Sequence, residues 1–128
     1  MLLVVGATDQ ELIQRHRRLQ AFDALDYELL VGLLGNYQQV LVTPNTLTET
    51  SNLHSQHGEP QRSRFFDTLR SLIEVNKEIV VTSRQTSANP SFNRLGLTDA
   101  ALIATPHTQT LHLSYGPPSN DRFTTYRL

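Results

Sequence analysis

An α/β layered fold with a mainly parallel sheet is what this sequence predicts. Three observations lead there. Apolar residues recur at helical spacing in several segments. Two short β-branched runs, 39–43 and 78–82, stand between those segments. Helices that alternate with strands in this way are the pattern of a parallel sheet covered by helices. The 128 residues suffice for one domain with a real core, and no linker or internal repeat divides them.

Taken in order, residues 10–20 read as a short helix with Leu12, His16 and Leu19 on one side, Asp9 at its start and Glu11 in its first turn. Phe22, Leu25, Leu29 and Leu33 form the stripe of a second helix, widened by Tyr27, Leu30, Leu34 and Tyr37. Asp23 suits its N-cap, and Gly35-Asn36 supplies a stop. The run 39–43 reads as a buried strand. Thr43 and Pro44 then cap and start a helix over 44–56, whose apolar content is thin, with only Leu47 and Leu53. Gly58 and Pro60 precede a helix over 61–75, where Phe65, Phe66, Leu69, Leu72 and Ile73 keep helical spacing. A second strand over 78–82 leads into 83–90, which has loop composition. Leu97-Thr98-Asp99 then caps a helix that runs through Ala104. From 105 the pattern breaks, with candidate strands at 110–114 and 123–127.

Composition excludes whole classes of function. Eleven Lys and Arg balance twelve Asp and Glu, for a formal charge of −1, so nucleic acid cannot be held by bulk charge and needs a local basic patch. The absence of cysteine removes disulfide frameworks, cysteine zinc sites, iron–sulfur clusters and thiol catalysis. No apolar run approaches the ~20 residues of a membrane span, and the apolar opening is too short and lacks the basic flank of a signal peptide. A soluble, cytoplasmic protein is the expectation. With 38% apolar residues, a mean hydropathy of −0.32 and no Trp, its core must rest on Leu, Val and Ile.

Two segments carry candidate chemistry. Asn45, Glu49 and Asn52 fall at i, i+4 and i+7 of the helix after the first strand, a polar stripe that also takes in Gln56. A carboxylate flanked by amides near a strand's carboxyl end suits a hard cation such as Mg²⁺. A solvated helix face explains the same stripe. Asp99 lies in a first helical turn, where helix-dipole capping accounts for a carboxylate as readily as metal binding does.

Together, Thr-Pro-Asn-x-Leu-Thr-Glu-x-Ser-Asn-Leu at 43–53 and Leu-Gly-Leu-Thr-Asp-Ala-Ala-Leu-Ile at 95–103 resemble the second and third acidic motifs of PIN domains, small α/β nucleases. The resemblance spans about 3–104. It implies a three-layer α/β/α fold with a five-stranded, mainly parallel sheet and a carboxylate cluster that binds Mg²⁺ or Mn²⁺ to cleave RNA. By position Glu49 and Asp99 are two of those acids, with Asn45, Asn52 and Thr98 in support. Frequent family use adds a toxin role beside a protein antitoxin.

The chain also departs from the family. Its opening, Met-Leu-Leu-Val-Val-Gly, resembles the helix that normally follows the first strand, so that strand and its aspartate are missing. No Thr-x-Asp strand end follows the third acid, and Asp121 is the single acid of the tail. An in-frame extension upstream of Met1 and a pair of compensating frame changes over 105–122 are the expected explanations. An edge left bare by the missing strand points to a homodimer. The alternative is a degenerate, non-catalytic PIN-like module that binds RNA or a protein partner.

Arg15, Arg17 and Arg18 make the densest basic cluster and are candidates for RNA phosphates, with Arg62, Arg64 and Arg70 a second group. His54 and His57 are spaced to share a metal, but no cysteine or nearby carboxylate completes a zinc set.

Overall fold

The first eight residues set the architecture. Met1 to Val5 are all buried, and α1 (Leu2–Thr8) lies inside the molecule rather than on its surface. The computed structural model describes residues 1–37, 40–105, 111–114 and 125–127. After α1 come α2 (Glu11–Arg15), a 3₁₀ turn (Arg17–Leu19), α3 (Ala24–Leu34), β1 (Val40–Val42), α4 (Pro44–His54) and α5 (Gln61–Val75). Then follow β2 (Lys77–Glu78), α6 (Ser83–Ser87), α7 (Phe92–Ala104), β3 (Leu111–Ser114) and β4 (Thr125–Arg127).

The strands form one sheet in the order β2-β1-β3-β4, and every neighbouring pair is parallel. Leu41 lies opposite Lys77 on one side and His112 on the other, so β1 is an interior strand. This is a mixed α/β fold with a parallel sheet. α1 packs against α5, α2 and α3, while α7 packs against α6, α4 and β3. No helix among the described residues is long and apolar enough to cross a membrane.

Local sequence explains most boundaries. Thr43 accepts the Thr46 N–H and Pro44 occupies the first turn of α4, as expected. Asp23 and Asp26 form a reciprocal capping box at the start of α3. α5 fills 61–75, burying Phe65 and Leu69.

Five expectations need correction. The helix over 10–20 is broken at His16, whose extended backbone separates α2 from the 3₁₀ turn. On α3 the inward face is the widening set: Leu30 is buried and Tyr27, Leu34 and Tyr37 pack on the core, while Phe22, Leu25 and Leu29 are exposed. Gly6 decides this, because a Cβ there would overlap the Tyr27 ring, which seats α3 against α1 through that side. α4 stops at His54 rather than 56, where the Ser55 hydroxyl caps the Asn52 carbonyl. The second strand is Lys77–Glu78, with only the Ile79 N–H reaching Val42 O at 2.8 Å beyond it, and Val80 stays exposed. The expected loop at 83–90 instead starts with α6, nucleated by a Thr82–Gln85 capping box. Part of the expected first strand, Gln39, and the acid Asp121 lie outside the described residues.

Candidate functional site

The helix α4 carries two different constellations. Its thin apolar content is explained by a polar inward stripe. Thr46, Thr50 and His54, each four residues apart, are fully buried. The two threonines satisfy their hydroxyls locally. Thr46 shares a 3.0 Å hydrogen bond with Thr43, and Thr50 donates to the Thr46 carbonyl at 2.9 Å. His54 does not: neither ring nitrogen has a hydrogen-bond partner.

Glu49 points toward α7. The Thr98 hydroxyl donates to Glu49 Oε1 at 2.7 Å, joining residues 49 positions apart in sequence. Two features of α7 set this up. Gly96 takes a left-handed conformation (φ 76°) that restarts the helix, so Leu97, Thr98 and Asp99 form the first turn of its second half. Ala100 and Ala101 behind them are fully buried, and their small side chains bring α7 close to its neighbours. Glu49, Thr98 and Asp99 are all half-buried. Thr98 thus fixes the Glu49 carboxylate, and Asp99 follows Thr98 directly in sequence.

The other expected residues stand differently. Asn45 is half-buried in the first turn of α4, and Asn52 is exposed. Arg15, Arg17 and Arg18 are exposed on α2 and the 3₁₀ turn, and α2 packs against α1 and α3. Arg64 meets Asp9 at 3.6 Å, and Arg62 and Arg70 pair within α5 or just before it. An open groove of about 590 Å³ between α4 and α5, lined by Leu47, Thr48, Ser51 and Phe66 among others, includes neither Glu49 nor Asp99.

The second constellation was only half visible in the sequence. His54 and His57 converge with His16 from the break after α2. His16 Nε2 and His57 Nε2 are 3.0 Å apart, and one nitrogen from each of the three rings falls within 4.8 Å of the others. All three rings gather on Phe65, with centroids 4.7 Å (His54), 5.0 Å (His57) and 6.3 Å (His16) from it. Burial pushes His54 down to about 3, with the neighbouring Met1 amine (itself lowered by burial), His57 and His16 adding to it. Burial likewise lowers His16 to about 4, with His57, the Met1 amine and Arg18 adding to it. These two rings are neutral imidazoles at pH 7, the form that binds metals. The extended backbone that breaks the helix at His16 is what turns the ring toward α4, and no periodicity argument signals it.

Comparison with family models, with curated proteins and with solved structures gives no match to this chain.

Proposed function

We propose that the chain is a PIN-like, Mg²⁺- or Mn²⁺-dependent ribonuclease in which Glu49 and Asp99 hold the cation. The observation that carries this reading is the 2.7 Å bond from Thr98 to Glu49, since it joins the two acidic segments that the resemblance pairs. The strand order β2-β1-β3-β4 is that of a doubly wound sheet; it fits a 3-2-1-4-5 sheet without strand 1 and equally a 2-1-3-4 sheet, so it does not choose between them. Glu49 also follows the carboxyl end of β1, where sites of such sheets gather. A bound divalent cation polarises a phosphodiester and acidifies water. Thr98 fixes the Glu49 carboxylate, and Asn45, one turn earlier, lies on the same helix face. Exposed Arg15, Arg17 and Arg18 offer phosphate contacts. A toxin role with an antitoxin partner rests on fold-level analogy alone.

A second reading is favoured by a specific observation. The nuclease reading supplies two carboxylates where two-metal hydrolysis needs more charge, and β1 pairs directly with β3. A PIN-like module that binds RNA or a protein without cutting fits that arrangement. Incubating the purified chain with labelled single-stranded RNA and Mn²⁺ separates the two. Cleavage that disappears in Glu49→Gln and in Asp99→Asn supports the nuclease. Cleavage that survives both changes removes these residues from the reaction, and RNA retention without cleavage favours the binding module.

A further inference from the structure

From the geometry we infer a second, nitrogen-donor metal site at His16, His54 and His57, selective for Zn²⁺-class transition dications. It does not rest on the ribonuclease reading. Three imidazoles from two separated segments, the break after α2 and the α4 C-terminal region, bring one nitrogen each within 4.8 Å. Tetrahedral coordination at ordinary Zn–N distances puts its donors about 3.3 Å apart, so modest rotations of the rings would close on an ion. His16 and His57 already stand at 3.0 Å.

His54 is the independent observation that a ligand belongs there. Its side chain is 0% exposed, and both ring nitrogens lack a partner. Buried polar atoms are rarely left so, and an orphan imidazole among two others calls for an ion or a molecule to accept its lone pair. Thr46 and Thr50 on the same buried stripe satisfy their hydroxyls within α4, so the stripe itself does not require an unpaired polar group.

The donors choose the metal. Imidazole suits Zn²⁺, Co²⁺, Ni²⁺ and Cu²⁺, whereas Mg²⁺ requires oxygen ligands and holds its waters. His16 Nδ1 accepts the Arg18 N–H at 3.2 Å, so the neutral ring carries its hydrogen on Nε2, facing His57. Uptake through Nε2 moves that hydrogen to Nδ1. No proton is lost in the shift, and one long backbone hydrogen bond gives way to a metal–nitrogen bond. Three histidines leave a fourth position open, and half-buried His57 forms the accessible rim.

The test titrates the untagged full chain with Co²⁺ alone. We expect the visible absorption bands of a tetrahedral ion, saturating at one equivalent, bleached by Zn²⁺ and unaffected by excess Mg²⁺. His57→Ala, at the rim, should keep the far-UV circular dichroism of the parent and weaken Co²⁺ binding by roughly 100-fold. His16→Gln should do the same, and where it fails to fold the rim variant decides alone. Absence of the bands and of saturable binding by about 1 mM Co²⁺ overturns the site, as it would for a cavity that holds only water. Unchanged affinity in His57→Ala also overturns it.

Discussion

Two regions of one helix invite comparison. Near its middle α4 presents Glu49 to Thr98, and at its end it presents His54 to His16 and His57. The acid corner is half-buried, oxygen-lined and hydrogen-bonded. The histidine cluster is more deeply buried, nitrogen-lined and, at His54, unpaired. The same helix serves both because its inward stripe of Thr46, Thr50 and His54 is offset around the axis from Glu49. The comparison teaches that satisfaction, rather than charge, distinguishes a structural polar group from one awaiting a ligand. The buried threonines close their bonds within a turn, and the buried histidine does not.

The largest expected effect comes from removing the ring on which the histidines rest. Phe65 is 2% exposed, and Phe65→Ala should cost about 3–5 kcal/mol in urea unfolding and also abolish Co²⁺ binding. Full stability in that variant would break the link between the aromatic platform and the cluster.

Acid should separate the regions next. His16 and His54 have native pKa values below their ordinary 6.5, so the unfolded chain binds more protons as pH falls. Their contribution is complete above about pH 6.5 and declines through pH 4 and toward 3, on the order of a kcal/mol per pH unit for each ring. Denaturant midpoints measured across that range should fall, and less steeply in His54→Leu. A parallel decline in parent and variant would show that His54 carries none of the acid sensitivity.

A smaller effect belongs to the acid corner. Thr98→Val keeps the shape and removes the donor to Glu49, which should cost about 1 kcal/mol in unfolding and weaken Mn²⁺ binding without altering Co²⁺ binding. The smallest change is expected at His54 itself. His54→Leu exchanges an unpaired buried polar ring for an apolar side chain, so metal-free stability at pH 7 should stay level or rise while the Co²⁺ site is lost. A strong metal-free destabilisation would mark His54 as a packing residue instead.

How much of this the sequence disclosed follows from range. Caps and periodic stripes are local, so Asp23, Thr43 with Pro44, and the helix 61–75 were legible. The face of α3 was not, because apolar residues lie on two sides and the choice depends on Gly6 meeting Tyr27 from another helix. α6 was hidden by its polar composition, since a capping box rather than a hydrophobic face starts it. At the acid corner, the pairing of 43–53 with 95–103 was visible only through the family resemblance. In the histidine cluster, His54 and His57 announced themselves by spacing, but His16 joins across a chain separation that no local pattern reports.

The most direct measurement is a crossed titration that follows Mn²⁺ and Co²⁺ binding by calorimetry in the parent, in Glu49→Gln and in His57→Ala. We expect Glu49→Gln to lose Mn²⁺ binding and keep Co²⁺ binding, and His57→Ala to do the reverse. Loss of both ions in either folded variant, or of neither, would contradict two separate sites on α4.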